Sequence, residues 1–419
     1  MMRNDIALGM TPGGTDVSAL GAQQLAFDEA EYARRLTRLR EAMAAAGIDL
    51  MWVTSPEVVC WLHGYFASWY KGQSPMRYPQ CFGTAVHVDH EHFIFFDNPT
   101  EMGVTQQFSV SRDNRWLPSR EAAPNLDFIM GELEAEGWLK GTVGMEFWSY
   151  LPNRAISTMF EGAFRAHGAN VVDATAVTRG VRRVKSAAEI AAIEEAVRIC
   201  AVGHQTIMDN LRPGITELDL FGQVMAAMMV QGGEFPALIP IFNAHPMKDG
   251  VPVPVGHGMA GRRVIQEGEY LGADLCGVFK RYHANVCRGY VVGEVPRKLA
   301  ELTARAAGVF DVIESEVKAG MTVAEVIAVL KRYYDDTGLT GTPGWVLGYE
   351  MGLSLPPDWV GDFYFHFMDT KYLDRVFEEN MVTNFESIFS TSLIDMVVYG
   401  RDGSRVLNGG VPRELQGVG

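Results

Sequence analysis

GADLCGVFKRYHANVCR, residues 272–288, decides how this chain is read. It sets one carboxylate, Asp274, in an apolar run and places a neutral amide, Asn285, eleven positions later. Tyr282 and His283 stand side by side between them. In a strand, neighbouring side chains point to opposite faces, so only one of that pair can face inward with the polar residues. Arg288 closes the stretch. The stretch is read together with His257, within G-H-G and seventeen positions before Asp274, and Glu386, in F-E-S at 385–387. IDMV at 394–397 follows, opening on Ile394.

Outward from this stretch, the second half carries a weak internal repeat. LRPGITELD at 211–219 is matched by VKAGMTVAE at 317–325. Each copy sets a Gly, an apolar residue and a Thr ahead of an acid three positions on, a capping pattern that opens a helix. The period is too long for a solenoid, and two copies of a helix-plus-strands unit about a pseudo-twofold axis fit it better. Upstream, RGVRRVKS at 179–186 is basic and polar, and Ser186 with Glu189 forms a capping box for a long helix. A domain boundary is expected there. In the first half, residues 27–47 have helical spacing with Tyr32, Leu36, Leu39 and Met43 on one face, closing on Gly47. Residues 48–54 read as a buried strand, 85–96 as a hairpin, and 141–146 and 169–173 as short strands around a helix. The expected organisation is an extended arm over 1–25, an α/β domain over 26–178 and a second domain over 179–419.

The bulk properties agree with a globular protein of two domains: 419 residues, 47% apolar and 21% charged. A net charge of −15 repels nucleic acid and anionic membrane, so neither is an expected partner. Cys60, Cys81, Cys200, Cys276 and Cys287 are odd in number and widely spread, with no C-x-x-C, so neither a disulfide framework nor a zinc knuckle is signalled. The first 22 residues lack the pattern of a signal peptide, and no run of 18 apolar residues occurs. A cytoplasmic location is expected.

Taken in order, RRVKSAAEI at 182–190, His257-Gly258, Asp274, GYEMGL at 348–353, F-E-S and a closing hairpin ending at Asp402-Gly403 resemble the creatinase, prolidase and methionine aminopeptidase superfamily. The resemblance implies a creatinase-type α/β N-terminal domain and a pita-bread C-terminal domain with a pseudo-twofold repeat. It also implies five metal ligands: Asp, Asp, His, Glu and Glu. Asp274 matches the first and Glu386 the fourth. Asn285 stands at the second, Pro356 about where the His belongs, and Ile394 at the fifth. An amide brings no charge to offset two divalent cations, and two carboxylates without an imidazole or bridging partner do not hold them. No metal or other cofactor is therefore expected. RYHANVCR at 281–288 and GYEMGLSLPPDW at 348–359 look more like ectoine hydrolase than creatinase, both metal-free branches that cleave C–N bonds of small nitrogen compounds.

The expected activity is then metal-independent hydrolysis of an amidine, guanidino group or cyclic amide in a small zwitterionic compound. His257 is the expected acid/base, its ordinary pKa lying near neutrality. Asp274 and Glu386 would bind a cationic group and orient water, or attack as a nucleophile. Tyr349, Tyr282, His283 and Arg288 are candidate substrate contacts. So are Trp69 and Tyr70, in an aromatic loop expected to cap the site from a partner subunit, as in creatinase, which also implies a homodimer. Two alternatives stay open. One is a metal-dependent Xaa-Pro peptidase or lyase of the same fold, with His283, Asp274, Glu386 and Asp395 around one ion. The other is a non-catalytic binding protein on the same scaffold.

Overall fold

The computed structural model describes residues 20–67 and 80–419. It divides into two compact units, Met1–Arg182 and Arg183–Gly419. Most of the expected N-terminal arm, together with Trp69 and Tyr70, lies outside the described residues.

In the first unit, α1 (Glu29–Ala45) starts where the Asp28 carboxylate accepts the Glu31 N–H at 2.7 Å, and it closes on Gly47 at φ +66°. A six-stranded sheet follows in the order β4-β3-β2-β1-β5-β6. Its strands are β1 (Leu50–Val53), β2 (Gly83–His87), β3 (Phe93–Asp97), β4 (Asp113–Trp116), β5 (Thr142–Met145) and β6 (Asn170–Asp173). β1, β2 and β3 pair antiparallel, and the outer strands join in parallel. The helices are α2 (Pro56–His63), α3 (Met102–Phe108), α4 (Ala122–Ala135), α5 (Arg154–Ala166) and α6 (Thr175–Arg183). Trp52 anchors the core, its ring 4.9 Å from Phe160 and 5.8 Å from Phe96. On the sheet's far edge Arg115 gathers Asp113, Glu132 and Glu136 into one ion-pair cluster.

In the second unit, α7 (Ala187–Asn210) opens on the Ser186/Glu189 capping box. The other helices are α8 (Glu217–Val230), α9 (Arg297–Ala307), α10 (Val309–Glu316) and α11 (Val323–Asp336). A nine-stranded sheet carries β7 (Ile241–His245), β10 (Tyr270–Phe279), β11 (Tyr282–Val292), β12 (Trp345–Tyr349), β13 (Tyr364–His366), β14 (Val382–Phe389) and β15 (Thr391–Tyr399) along its main path. β16 (Ser404–Leu407) pairs with β15 and β17 (Gln416–Val418) with β11, while β8 (Met247–Lys248) and β9 (Val251–Pro252) form a separate ribbon. The central order β12-β14-β15-β11-β10-β7 reads the same from either end as one single strand and one hairpin. The two sequence repeats sit at equivalent places. Gly214 and Gly320 have φ of +88° and +93°, Thr216 and Thr322 cap α8 and α11, and each Thr bridges an extended residue, Val264 or Val376. This is the expected pseudo-twofold pita-bread domain.

All five cysteines are free and buried. Among the described residues, no helix is long and apolar enough to cross a membrane.

Candidate active site

The β10–β11 hairpin fixes the site's register. Its turn is Lys280-Arg281, both at positive φ (51° and 64°), the backbone that matches the twist of a two-residue hairpin. Neither residue favours that conformation, and Glu234 compensates. Its carboxylate accepts the N–H groups of Lys280 at 2.8 Å and Arg281 at 3.0 Å and pairs with the Arg281 guanidinium at 3.1 Å. Register then sets Asp274 opposite Cys287 and Cys276 opposite Asn285. The odd-numbered residues of β10, such as Gly277, pack on α7, where an added Cβ would stand 1.9 Å from the Ala196 carbonyl. Asp274 and Cys276 therefore share the other face.

On that face four polar side chains form one chain of hydrogen bonds. The Asn285 amide donates to Asp274. Asn384 donates to the Asn285 oxygen at 3.1 Å and to Glu386 Oε1, also at 3.1 Å, while its own oxygen accepts the Tyr349 N–H at 2.9 Å. Burial pushes Asp274 up to about 7, with the Asn285 bond pulling the other way. Burial, and then the charge of Asp274, push Glu386 up to about 8. The Tyr349 phenol is raised well above its ordinary value by burial and by the Glu386 and Asp274 charges, so it stays a donor. The structure thus brings Asp274, Glu386 and Tyr349 together. Asn384 was not read from the sequence, and a single Asn two positions before Glu386 carries no signal that would have found it.

His257 lies exposed on the loop after β9. That loop is pinned to β7, because Phe242 donates to the Gly258 carbonyl at 3.0 Å, and an added Cβ on Gly258 would overlap Asn243. Glu217, on the first turn of α8, ties the same pieces together, accepting the N–H of Ala244 and of Gly261 at 2.8 Å each. β7 pairs with β10, with Ile241 opposite Asp274. The loop therefore borders the strand that carries Asp274, but His257 makes no hydrogen bond to either carboxylate.

Three expected substrate contacts are corrected. The Tyr282 phenol points to the helix side and donates to Glu189 of α7 at 2.6 Å. His283 shares the face of Asn285, but one ring nitrogen accepts the Ala237 N–H at 2.9 Å and the other donates to the Arg281 carbonyl at 2.9 Å. Burial pushes it down to about 3, so it is a neutral strut. Arg288 spends its donors on the carbonyls of Pro412, Cys287, Ile394 and Val411 and on Asp395 at 2.6 Å. Asp395 is fully buried and also pairs with Arg413 at 2.7 Å, which removes both it and His283 from the alternative one-ion site.

The fold's metal pair does not fit these residues. Ile394 is buried directly across from both Glu386 and Cys287, an apolar side chain where a carboxylate would be needed. The Asn285 amide turns its N–H toward Asp274, presenting a donor where an ion needs an acceptor. Among the described residues, the group of three or more His, Cys, Asp or Glu side chains close enough to share an ion is His92, Asp113 and Glu136, and Arg115 already neutralises its acids.

The family model of the Creatinase/Prolidase N-terminal domain matches residues 35–184. Ectoine hydrolase of Halomonas elongata is 26% identical over 356 residues, covering 80% of this chain and 84% of that protein. A Xaa-Pro dipeptidase of Pyrococcus horikoshii is 24% identical over 237 residues, 55% of this chain and 64% of that protein. The fold matches the solved Xaa-Pro dipeptidase from Bacillus anthracis (TM-score 0.71, 20% identity, 92% of this chain and 99% of that one). It also matches the X-Pro aminopeptidase from Thermotoga maritima (TM-score 0.73, 17% identity, 91% and 99%). The model of metallopeptidase family M24 matches residues 191–409, more than half of the chain, and the protein therefore belongs to that family as a hydrolase on its fold.

Proposed function

We propose that this hydrolase cleaves, without a metal ion, a C–N bond in a small zwitterionic or cationic nitrogen compound, a cyclic amidine such as ectoine or a related guanidino acid. The observation that carries the reading is the pair of amides that links the buried Asp274 and Glu386: Asn285 donates to Asp274, and Asn384 donates to Asn285 and to Glu386. An amidinium presents N–H groups side by side, and two adjacent carboxylates are their natural acceptors.

Near neutral pH, Asp274 at about 7 and Glu386 at about 8 are partly protonated as a coupled pair. The ionised member takes a proton from the attacking water as its oxygen bonds to the amidine carbon. The protonated member gives its proton to the departing nitrogen as the C–N bond breaks. Tyr349 donates a hydrogen bond to the substrate. His257 is the shuttle that restores the starting protonation. The 26% identity to a protein named ectoine hydrolase supports this substrate class. The competing reading, a metal-dependent Xaa-Pro dipeptidase, draws on the Pyrococcus horikoshii match and is opposed by Asn285 and Ile394. The proposal includes a homodimer, which light scattering of the purified protein reads directly.

The test is turnover of cyclic amidines, guanidino acids and Xaa-Pro dipeptides by the purified protein, beside His257→Ala. The reading expects amidine or guanidino cleavage that His257→Ala abolishes with little loss of stability. Turnover of dipeptides alone, or unchanged activity in the variant, rejects it.

A further inference from the structure

We infer that Asn384, on β14, is the positioning residue of this site: it sets which way the Asn285 amide faces and so keeps an N–H donor on each of the two carboxylates. The inference rests on the hydrolase reading above and extends it.

The argument starts from a group whose polarity is fixed. The Tyr349 backbone N–H is only a donor, so the Asn384 atom that meets it at 2.9 Å is the amide oxygen. That places the Asn384 nitrogen, with its two hydrogens, toward both remaining neighbours, Glu386 Oε1 and the oxygen of Asn285. A reversed Asn384 would set N–H against N–H at Tyr349 and oxygen against carboxylate at Glu386. With the Asn285 oxygen committed to Asn384, the Asn285 nitrogen must face Asp274. The polarity thus runs one way, from a backbone donor through two amides to two carboxylates.

Both amides are fully buried, so a misdirected dipole cannot be repaired by water. The Asn384 side chain spends its oxygen and both hydrogens within the chain, which leaves it no role as a substrate ligand. Its effect passes through Asn285 and Glu386. The two amides supply each carboxylate with the partial positive charge of an N–H.

The experiment compares wild type, Asn384→Ala and the isosteric Asn384→Asp, each first checked for folding by circular dichroism. Tyr334→Phe is the control. It removes another buried bond to the same strand, from the Tyr334 hydroxyl to Ser387 at 3.0 Å, outside the amide chain. Infrared difference titration of the substrate-free protein follows the buried carboxyls, with Asp274→Asn and Glu386→Gln assigning the bands. Losing a donated N–H favours the neutral acid. Both Asn384 variants are therefore expected to bind the Glu386 proton about tenfold more tightly and to lose roughly 10- to 100-fold in kcat/KM, with the pH profile displaced upward. The control should change stability alone.

Unshifted carboxyl bands in both Asn384 variants would overturn the inference whatever the substrate. Shifted bands in a protein that hydrolyses no amidine or guanidino compound would uphold the amide chain and reject the substrate reading instead.

Discussion

Replacing Glu386 by Gln should make this protein more stable in alkali and leave it unchanged in mild acid. Glu386 is 9% exposed and sits at about 8 against an ordinary 4.5, chiefly from burial. Each unit is worth about 1.4 kcal/mol, so ionising it in the folded protein costs at most about 5 kcal/mol relative to the unfolded chain. The folded protein binds this proton more tightly than the unfolded one. Between about pH 4.5 and 8 it therefore holds more protons, and stability falls as pH rises through that window and levels off above it. Gln keeps the volume and the bond to Asn384 but has no proton to lose. Thermal and urea unfolding of wild type and Glu386→Gln at pH 5, 7 and 9 should show a gap near zero at pH 5. At pH 9 the gap should have grown to several kcal/mol in favour of the variant, about 5 being the ceiling. A gap that does not change with pH, or a wild type that is the more stable at pH 9, would refute the claim that Glu386 is a strained, proton-holding acid.

Other changes separate the roles of neighbouring residues. Arg288→Ala leaves the buried Asp395 with Arg413 alone and takes the donor from four backbone carbonyls, and it should cost about 3–5 kcal/mol in urea unfolding; a change within error would reopen Arg288 as a substrate contact. Asn285→Asp combined with Ile394→Glu restores carboxylates at the two strand positions that lost them. Manganese or cobalt at a hundredfold excess over its Kd should stabilise that variant by about 3 kcal/mol and leave wild type unmoved; an equal shift in both would sink the ligand argument.

Much of the fold was legible because its signals are local. The Gly and Thr of each repeat demand a left-handed turn and a cap, and both copies make them. β4 and α2 were not read. β4 is the short polar run DNRW, and α2, PEVVCWLH, has an apolar centre that periodicity alone does not separate from a strand. For the site, the resemblance to the superfamily supplied the carboxylates and the positions of the lost ligands, because each stands in a short motif that can be matched in the sequence. It could not supply what each polar atom is spent on. Lys185, in the RRVKS signature, is an internal counter-ion to Glu350 of GYEMGL at 2.7 Å, so those two motifs mark structure as much as chemistry. Tyr282, His283 and Arg288 belong to the same kind. Strand alternation rightly allowed only one of Tyr282 and His283 to face inward, but the Ala237 and Arg281 backbone had already claimed both nitrogens of His283.

The most direct test of the proposed metal-free hydrolysis is the metal content of the protein as it is assayed with amidine and guanidino compounds, measured by inductively coupled plasma mass spectrometry before and after chelation. The account predicts less than about one-tenth equivalent of any transition metal, with turnover unchanged by the chelator. About one or two equivalents of manganese, iron, cobalt or zinc, with activity lost on their removal and regained on their return, would contradict it.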